Sequence, residues 1–156
     1  MKEQQQYKNP TPTVDVVIEK GSQILLIKRK SEPFKDHLAF PGGFVNEGET
    51  VEDAARREAK EETSLDVDLI DILGVYSDPK RDPRGHNMST VFIGKPLDHG
   101  SDEMKAVAKD DATQIEWVKI EEIGNKTLAF DHKEILLDYK TWKKSGGTFW
   151  SSRVRR

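Results

Sequence analysis

Residues 42–65, GGFVNEGETVEDAARREAKEETSL, set a glycine pair directly ahead of a segment loaded with carboxylates. The segment predicts a helix from Val51 to about Thr63, because nothing in it breaks one and Ala54, Ala55 and Ala59 favour one. Thr50 followed by Asp53 reads as a capping-box variant, the hydroxyl accepting from an amide near the helix start. Glu58 and Glu62 stand four apart and share a face, with Glu61 on its flank. Two carboxylates about 5 Å apart repel by ~3 kcal/mol at an effective dielectric near 20. Arg57 can reach Glu61 at i,i+4, whereas Glu58 and Glu62 have no helical counter-ion beyond Lys60. Alone, such a cluster reads as a solvated acidic face. The glycine turn and the spacing give it a second reading, as a set of oxygen ligands.

The same residues resemble the Nudix box, G-x5-E-x7-R-E-U-x-E-E-x-G-U, where U is a bulky aliphatic residue. Gly43 opens the box, and Glu49, Arg57, Glu58, Ala59, Glu61, Glu62 and Leu65 follow at its spacing. Two positions depart from it. Ala59 is smaller than the usual aliphatic, and Ser64 replaces a glycine that supplies a left-handed helix cap, at a cost of about 1 kcal/mol. Neither change removes a ligand. The resemblance implies a mixed β-sheet between helices, the α/β/α sandwich of the family. It implies hydrolysis of a diphosphate linkage with Mg2+, or Mn2+ in its place, and a nucleotide substrate. It gives Glu58 and Glu62 the main metal-ligand roles, with Glu61 alongside and the Gly42 carbonyl as a further oxygen. Glu62 is thereby expected to be exposed. Arg57 is expected to orient Glu61 or Glu49, and Gly43 to let the backbone approach phosphate closely. In many members the general base is an acidic residue from a late loop. Asp110 and Asp111 stand in that place here, with a solvated loop pair as their other reading.

The chain of 156 residues and 17.8 kDa predicts one domain with a real core. Its organisation reads as a loose lead-in (1–12), a hydrolase domain (13–143) and a C-terminal tail (144–156). Charged residues (34%) nearly match hydrophobic ones (35%), and no run approaches the ~20 apolar residues of a spanning helix. The first residues lack the apolar core of a signal peptide, and there is no cysteine, so a reducing cytoplasm is the expected setting. A net charge of −3 gives no general attraction to nucleic acid. A homodimer is carried as the candidate assembly.

Strands are predicted at residues 13–19, 23–29, 66–76 (one or two strands, interrupted near Gly74), 87–95 and 113–120, with residues 38–45 leading into the box. Ile24, Leu25, Leu26 and Ile27 form a continuous apolar run, as expected of a strand covered on both faces. Residues 131–143 read as an amphipathic helix burying Ile135, Leu136, Tyr139 and Trp142. Phe92, Ile93 and Trp117 are core candidates on burial preference.

Residues 76–86, YSDPKRDPRGH, hold two Asp-Pro steps that enforce a turn-rich loop. Arg81, Arg84 and His86 are expected to project from it toward an anion; alone, such a loop reads as solvated surface. After the box it resembles the loop of ADP-ribose pyrophosphatases, which carry a proline where Pro79 stands. The motifs GHNMSTVF and DDA (residues 110–112) are similar to that subgroup as well. ADP-ribose, cleaved to AMP and ribose 5-phosphate, is therefore the expected substrate. Three other readings stand beside it: another nucleotide, a non-catalytic ADP-ribose-sensing module, and RNA decapping aided by Arg153, Arg155 and Arg156.

Overall fold

The computed structural model describes residues 7–98 and 112–153. Strand β1 (Thr11–Lys20) runs through the middle of the sheet, and its alternation decides the layers. Val14, Val16 and Ile18 join one apolar cluster, while Val17 joins the other on the opposite face. Gly21, at φ 59, turns the chain into β2 (Gln23–Arg29). The hairpin then splays, since β1 and β2 pair only at Glu19–Ile24 and Lys20–Gln23. Beyond that point β1 takes β4 (Gly42–Phe44), while β2 pairs with β3 (Leu38–Ala39) and β7 (Ala112–Lys119). Along its other edge β1 runs parallel to β6 (Asn87–Pro96), and β5 (Val67–Tyr76) pairs antiparallel with β6.

Helix α1 (Val51–Thr63) lays Ala54, Ala55 and Ala59 on the cluster that holds Val14 and Val16. Side chains this small let the helix lie close to the sheet, and so bring its carboxylates up to β4. Helix α2 (His132–Ser145) covers the other face with Ile135, Leu136 and Tyr139. The predicted arrangement of a mixed sheet between two helices is the one observed.

Several details differ from the sequence reading. Of the two readings of residues 66–76, the single strand is the one observed, and its expected interruption is a register shift between Ile72 and Gly74, with a further shift between Leu69 and Asp71. Gly74 lies where a short β8 (Phe149–Trp150) docks, and a Cβ there would stand 2.0 Å from the Phe149 carbonyl oxygen. The chain past residue 144 therefore adds a strand to the sheet and a buried Phe149 to the core. At the other end, β1 begins at Thr11, inside the expected lead-in. Phe92 and Ile93 are buried as expected, but Trp117 and Trp142 are only partly buried. The Trp142 indole N–H reaches out to Asp71, which holds the ring at the rim. No helix among the described residues is long and apolar enough to cross a membrane.

Candidate active site

Both ends of α1 are fastened as its sequence predicts. Thr50 Oγ1 accepts from the Asp53 amide at 3.1 Å. Ser64 takes the left-handed cap at φ 64, its N–H donating to the Lys60 carbonyl. The fixed helix presents its acidic face to the glycine pair on β4. The Gly42 N–H donates to Glu62 Oε2 at 3.0 Å. A Cβ on Gly43 would stand 2.5 Å from the Glu58 carboxylate, and one on Gly42 would stand 2.2 Å from the Val14 carbonyl oxygen. Only glycine permits this approach of backbone to carboxylate. Glu62, expected to be exposed, is buried at 7% accessibility, because β4 covers it.

Arg57 ties the box together. Its Nε and Nη2 donate to the two oxygens of Glu49 at 2.7 and 2.9 Å, and Nη2 also donates to the Phe44 carbonyl. Its Nη1 donates to Glu58 at 2.7 Å and lies 3.3 Å from Glu61. Glu58 thus has a strong counter-ion that the i,i+4 rule overlooked, whereas Lys60 turns away to Asp66. The Arg57 hydrogen bonds hold the Glu49 carboxyl down at about 2. At Glu58 burial dominates, helped by repulsion from Glu61 and Glu49, and pushes the carboxyl above its usual range despite Arg57.

Among the described residues, no three His, Cys, Asp or Glu side chains form a ready-made metal cage. The donor set nonetheless fits a small hard cation. Glu58 and Glu62 offer carboxylate oxygens beside the bare Gly42–Gly43 backbone, and Glu61 stands half-exposed on the same helix. Mg2+ suits one or two protein carboxylates, completing its shell with water and substrate phosphate.

The cleft that holds Glu58 and Glu62 is also lined by Arg29 and Arg84. Arg84 behaves as expected in part: it is exposed, but Asp82 grips it through Nε and Nη2, and its guanidinium lies 5.5 Å from the rings of both Phe44 and Phe130. Arg81 does not project. Its side chain is 4% exposed and donates twice to Asp131, at 2.9 and 2.7 Å, with Asp15 3.7 Å away. The two Asp-Pro steps explain the difference. Each aspartate accepts from the amide two residues on, at Lys80 and at Arg84, so the chain turns twice and throws the two arginines to different sides. His86 faces solvent, its Nε2 beside the Ser77 carbonyl, and lines no part of the cleft. Asp110, Asp111, Arg155 and Arg156 lie outside the described residues. Arg153 stacks on Phe149 and Trp150.

The cleft is continuous with an inner cavity of about 60 Å³, which shares Arg29, Gly42, Gly43, Phe44, Glu62 and Arg84 with it and is lined further by Thr13, Asp15, Phe40, Phe130 and His132. Asp15 accepts from Ser89 at 2.6 Å and has His132 Nε2 at 3.4 Å. Burial opposes its charge, but His132, Arg81 and Ser89 outweigh burial and hold the carboxyl below its usual range. His132 Nδ1 in turn accepts from the Phe40 amide, 92 positions away in the chain. Sequence reasoning missed this cluster, and the sequence offered almost no signal for it. Arg29 alone left a trace, as a charge closing an apolar strand.

Comparisons agree with this geometry. Residues 9–139 match the NUDIX domain family. The chain is 50% identical over 143 residues to an ADP-ribose pyrophosphatase of Methanocaldococcus jannaschii, covering 92% of this chain and 80% of that protein. It is 32% identical over 136 residues to the ADPR responsive transcriptional repressor NtrR of Acinetobacter baylyi, spanning 83% of this chain but only 53% of the repressor. Its fold superposes, at a TM-score of 0.72 and 29% identity, on a bifunctional NMN adenylyltransferase/ADP ribose pyrophosphatase from Francisella tularensis, solved with AMP and a manganese ion. That match covers 90% of this chain and 43% of the other. The box geometry and these likenesses together establish the chain as a member of the Nudix hydrolase family.

Proposed function

We propose that this protein hydrolyses the diphosphate of ADP-ribose, yielding AMP and ribose 5-phosphate, with Mg2+ as its ion and Mn2+ as a substitute. The observation that carries the reading is a single cleft lined by Glu58 and Glu62 together with Arg29 and Arg84. Such a mixed wall suits a diphosphate, whose oxygens take guanidinium hydrogen bonds on one side and share a cation with carboxylates on the other. The half-identical archaeal pyrophosphatase supports ADP-ribose as the substrate, and a cytoplasmic setting fits the absence of cysteine.

In this mechanism Glu58 and Glu62 would hold the ion, with Glu61 and the Gly42 carbonyl as further oxygen donors. When bound, the ion screens phosphate charge and lowers the pKa of attacking water. Arg57 keeps Glu58 and Glu61 in place through Glu49 and the Phe44 carbonyl. Arg84 and Arg29 orient the diphosphate, and the Gly43 backbone lets it approach. Asp110 or Asp111 takes the proton from water. Its Asn variant should bind substrate and Mg2+ normally while turnover falls by ~10²–10⁴. Unchanged rates in both variants would move the base to Glu61 or Glu58.

The kinship with a repressor named as ADPR responsive favours a second reading, a sensor that binds ADP-ribose without turnover. A screen of ADP-ribose, dinucleotides and nucleoside triphosphates with Mg2+ separates the two. Fast production of AMP from ADP-ribose supports the enzyme. Tight binding with no AMP released would leave the sensor.

A further inference from the structure

Phe130 lines the inner cavity from a backbone bent into the left-handed region, at φ 51. A bulky aromatic residue rarely adopts that bend, which persists only where the surroundings impose it. Here the Ala129 N–H donates to the Leu38 carbonyl at 2.8 Å, and the His132 N–H donates to the Ala129 carbonyl at 3.1 Å. The chain is thus fastened on both sides of the bend. Ala129 goes fully into the core, while the Phe130 ring stays only partly buried, at the cavity.

Two guanidinium groups share that ring. Arg29 lies 4.8 Å from its centroid and Arg84 lies 5.5 Å from it. Phe34, itself at φ 63, meets the same ring edge-on at 4.9 Å. Each arginine is also tied through its Nε, Arg29 to the Pro33 carbonyl and Arg84 to Asp82. The ring face attracts a guanidinium as a cation and leaves its N–H donors to acceptors. Two cations gathered at one ring repel each other, and an anion that meets both offsets the repulsion. Both arginines also line the cleft that holds Glu58 and Glu62, where the proposed ion would meet a diphosphate.

We infer that Phe130 is a positioning residue for the reaction, gathering Arg29 and Arg84 into one pair that grips the substrate's diphosphate. It acts through the two arginines, and its strained backbone is what sets the ring between them and the core. The inference rests on the ADP-ribose reading and deepens it.

The test uses the full chain. Calorimetry with Mg2+ gives ADP affinity, electron spin resonance without nucleotide gives Mn2+ affinity, and melting is measured without ligand. Phe130→Leu removes the ring face and should weaken ADP binding about tenfold, with Mn2+ affinity kept within about twofold. Its KM for ADP-ribose should rise about tenfold, with a smaller change in kcat. Phe130→Tyr keeps the ring and should hold ADP affinity within about threefold of wild type. Phe130→Gly and Phe130→Ala should weaken ADP binding as Phe130→Leu does. Phe130→Gly should melt about 2–5 °C above Phe130→Ala, because a φ of 51 suits glycine. Phe130→Gly also decides the matter if Phe130→Leu does not fold. Unchanged ADP affinity without the ring, or a wild type that binds no ADP, would overturn the inference. Equal losses of Mn2+ and ADP affinity would overturn it too, because the ring would then support the whole site. So would a Phe130→Tyr variant that loses ADP, or a Phe130→Ala variant that melts above Phe130→Gly. The ADP-ribose reading fails on a different result: ADP binding weakened as described, with no cleavage of ADP-ribose by the wild type.

Discussion

Arg57 and Arg81 are both cations that gather carboxylates, and they are built by opposite means. Arg57 finds Glu49, Glu58, Glu61 and the Phe44 carbonyl within thirteen positions of itself, and its side chain stays 26% exposed. Arg81 finds Asp131 fifty positions away and Asp15 on a distant strand, and its side chain is 4% exposed. The first arrangement keeps carboxylates poised at a cleft. The second joins the 77–87 loop, the start of α2 and β1 beneath the inner cavity. The same residue type ties carboxylates at a cleft rim in one place and joins buried elements in the other, and depth separates the two.

The largest effect should separate the two arginines by stability. Arg81→Ala strands Asp131 and Asp15 without their cation, and removing one partner of a buried pair costs about 3–5 kcal/mol. Arg57→Ala should cost much less stability, because water screens its partners, yet still lower turnover with little change in metal stoichiometry. Urea denaturation of both variants checks this. Equal losses of stability would erase the distinction between the two regions.

Next in size is Glu62→Gln, expected to lower Mg2+-dependent turnover by about 10–100-fold or more. Because Glu62 also accepts from Gly42, its amide replacement should preserve the fold through its own carbonyl oxygen. Near-normal rates at saturating Mg2+ would show that the metal site is elsewhere.

Acid should act on the two regions with opposite signs. Asp15 lies below its ordinary value of 3.8 in the fold, so its contribution is present above pH 3.8 and lost as pH falls through the folded value. Glu58 lies above its ordinary 4.5, so its charge destabilises the fold once pH exceeds the folded value, and this strain is absent below 4.5. In metal-free buffer near pH 7, Glu58→Gln should therefore raise Tm and Asp15→Asn should lower it. Shifts of the same sign would contradict the contrast.

The smallest effect is at the end of α1. Ser64→Gly should stabilise by about 0.5–1 kcal/mol, because glycine takes the left-handed cap without a Cβ penalty. A destabilised variant would mean that the serine side chain itself contributes to the cap.

These contrasts also mark what could be read in advance. The helix, both of its caps and the carboxylate face follow from residues within about one turn of each other, while the glycine pair was legible only as a spacing, since Gly42 meets Glu62 from 20 positions away. Their periodicity and spacing were visible in residues 42–65 before any fold was known. The strands were visible in the same way, because alternation along β1 and the apolar run of β2 are local patterns. Glu62 was misjudged as exposed because its cover comes from β4, which no spacing within the helix reports. Arg81 and Arg84 looked equivalent, since both follow Asp-Pro in a short loop. Which one turns inward depends on an aspartate at position 131 and another at position 15.

By itself, then, the sequence determined the family, the spacing of the box and the elements of the sheet, since each is written in a local pattern or in motif spacing. Only the tertiary structure decided the inner cavity, with its buried Asp15–His132–Arg81 cluster. Its members come from β1, the 77–87 loop and the start of α2. Side chains so far apart in sequence leave no periodic trace, and only the packing of the sheet against α2 brings them within hydrogen-bond distance.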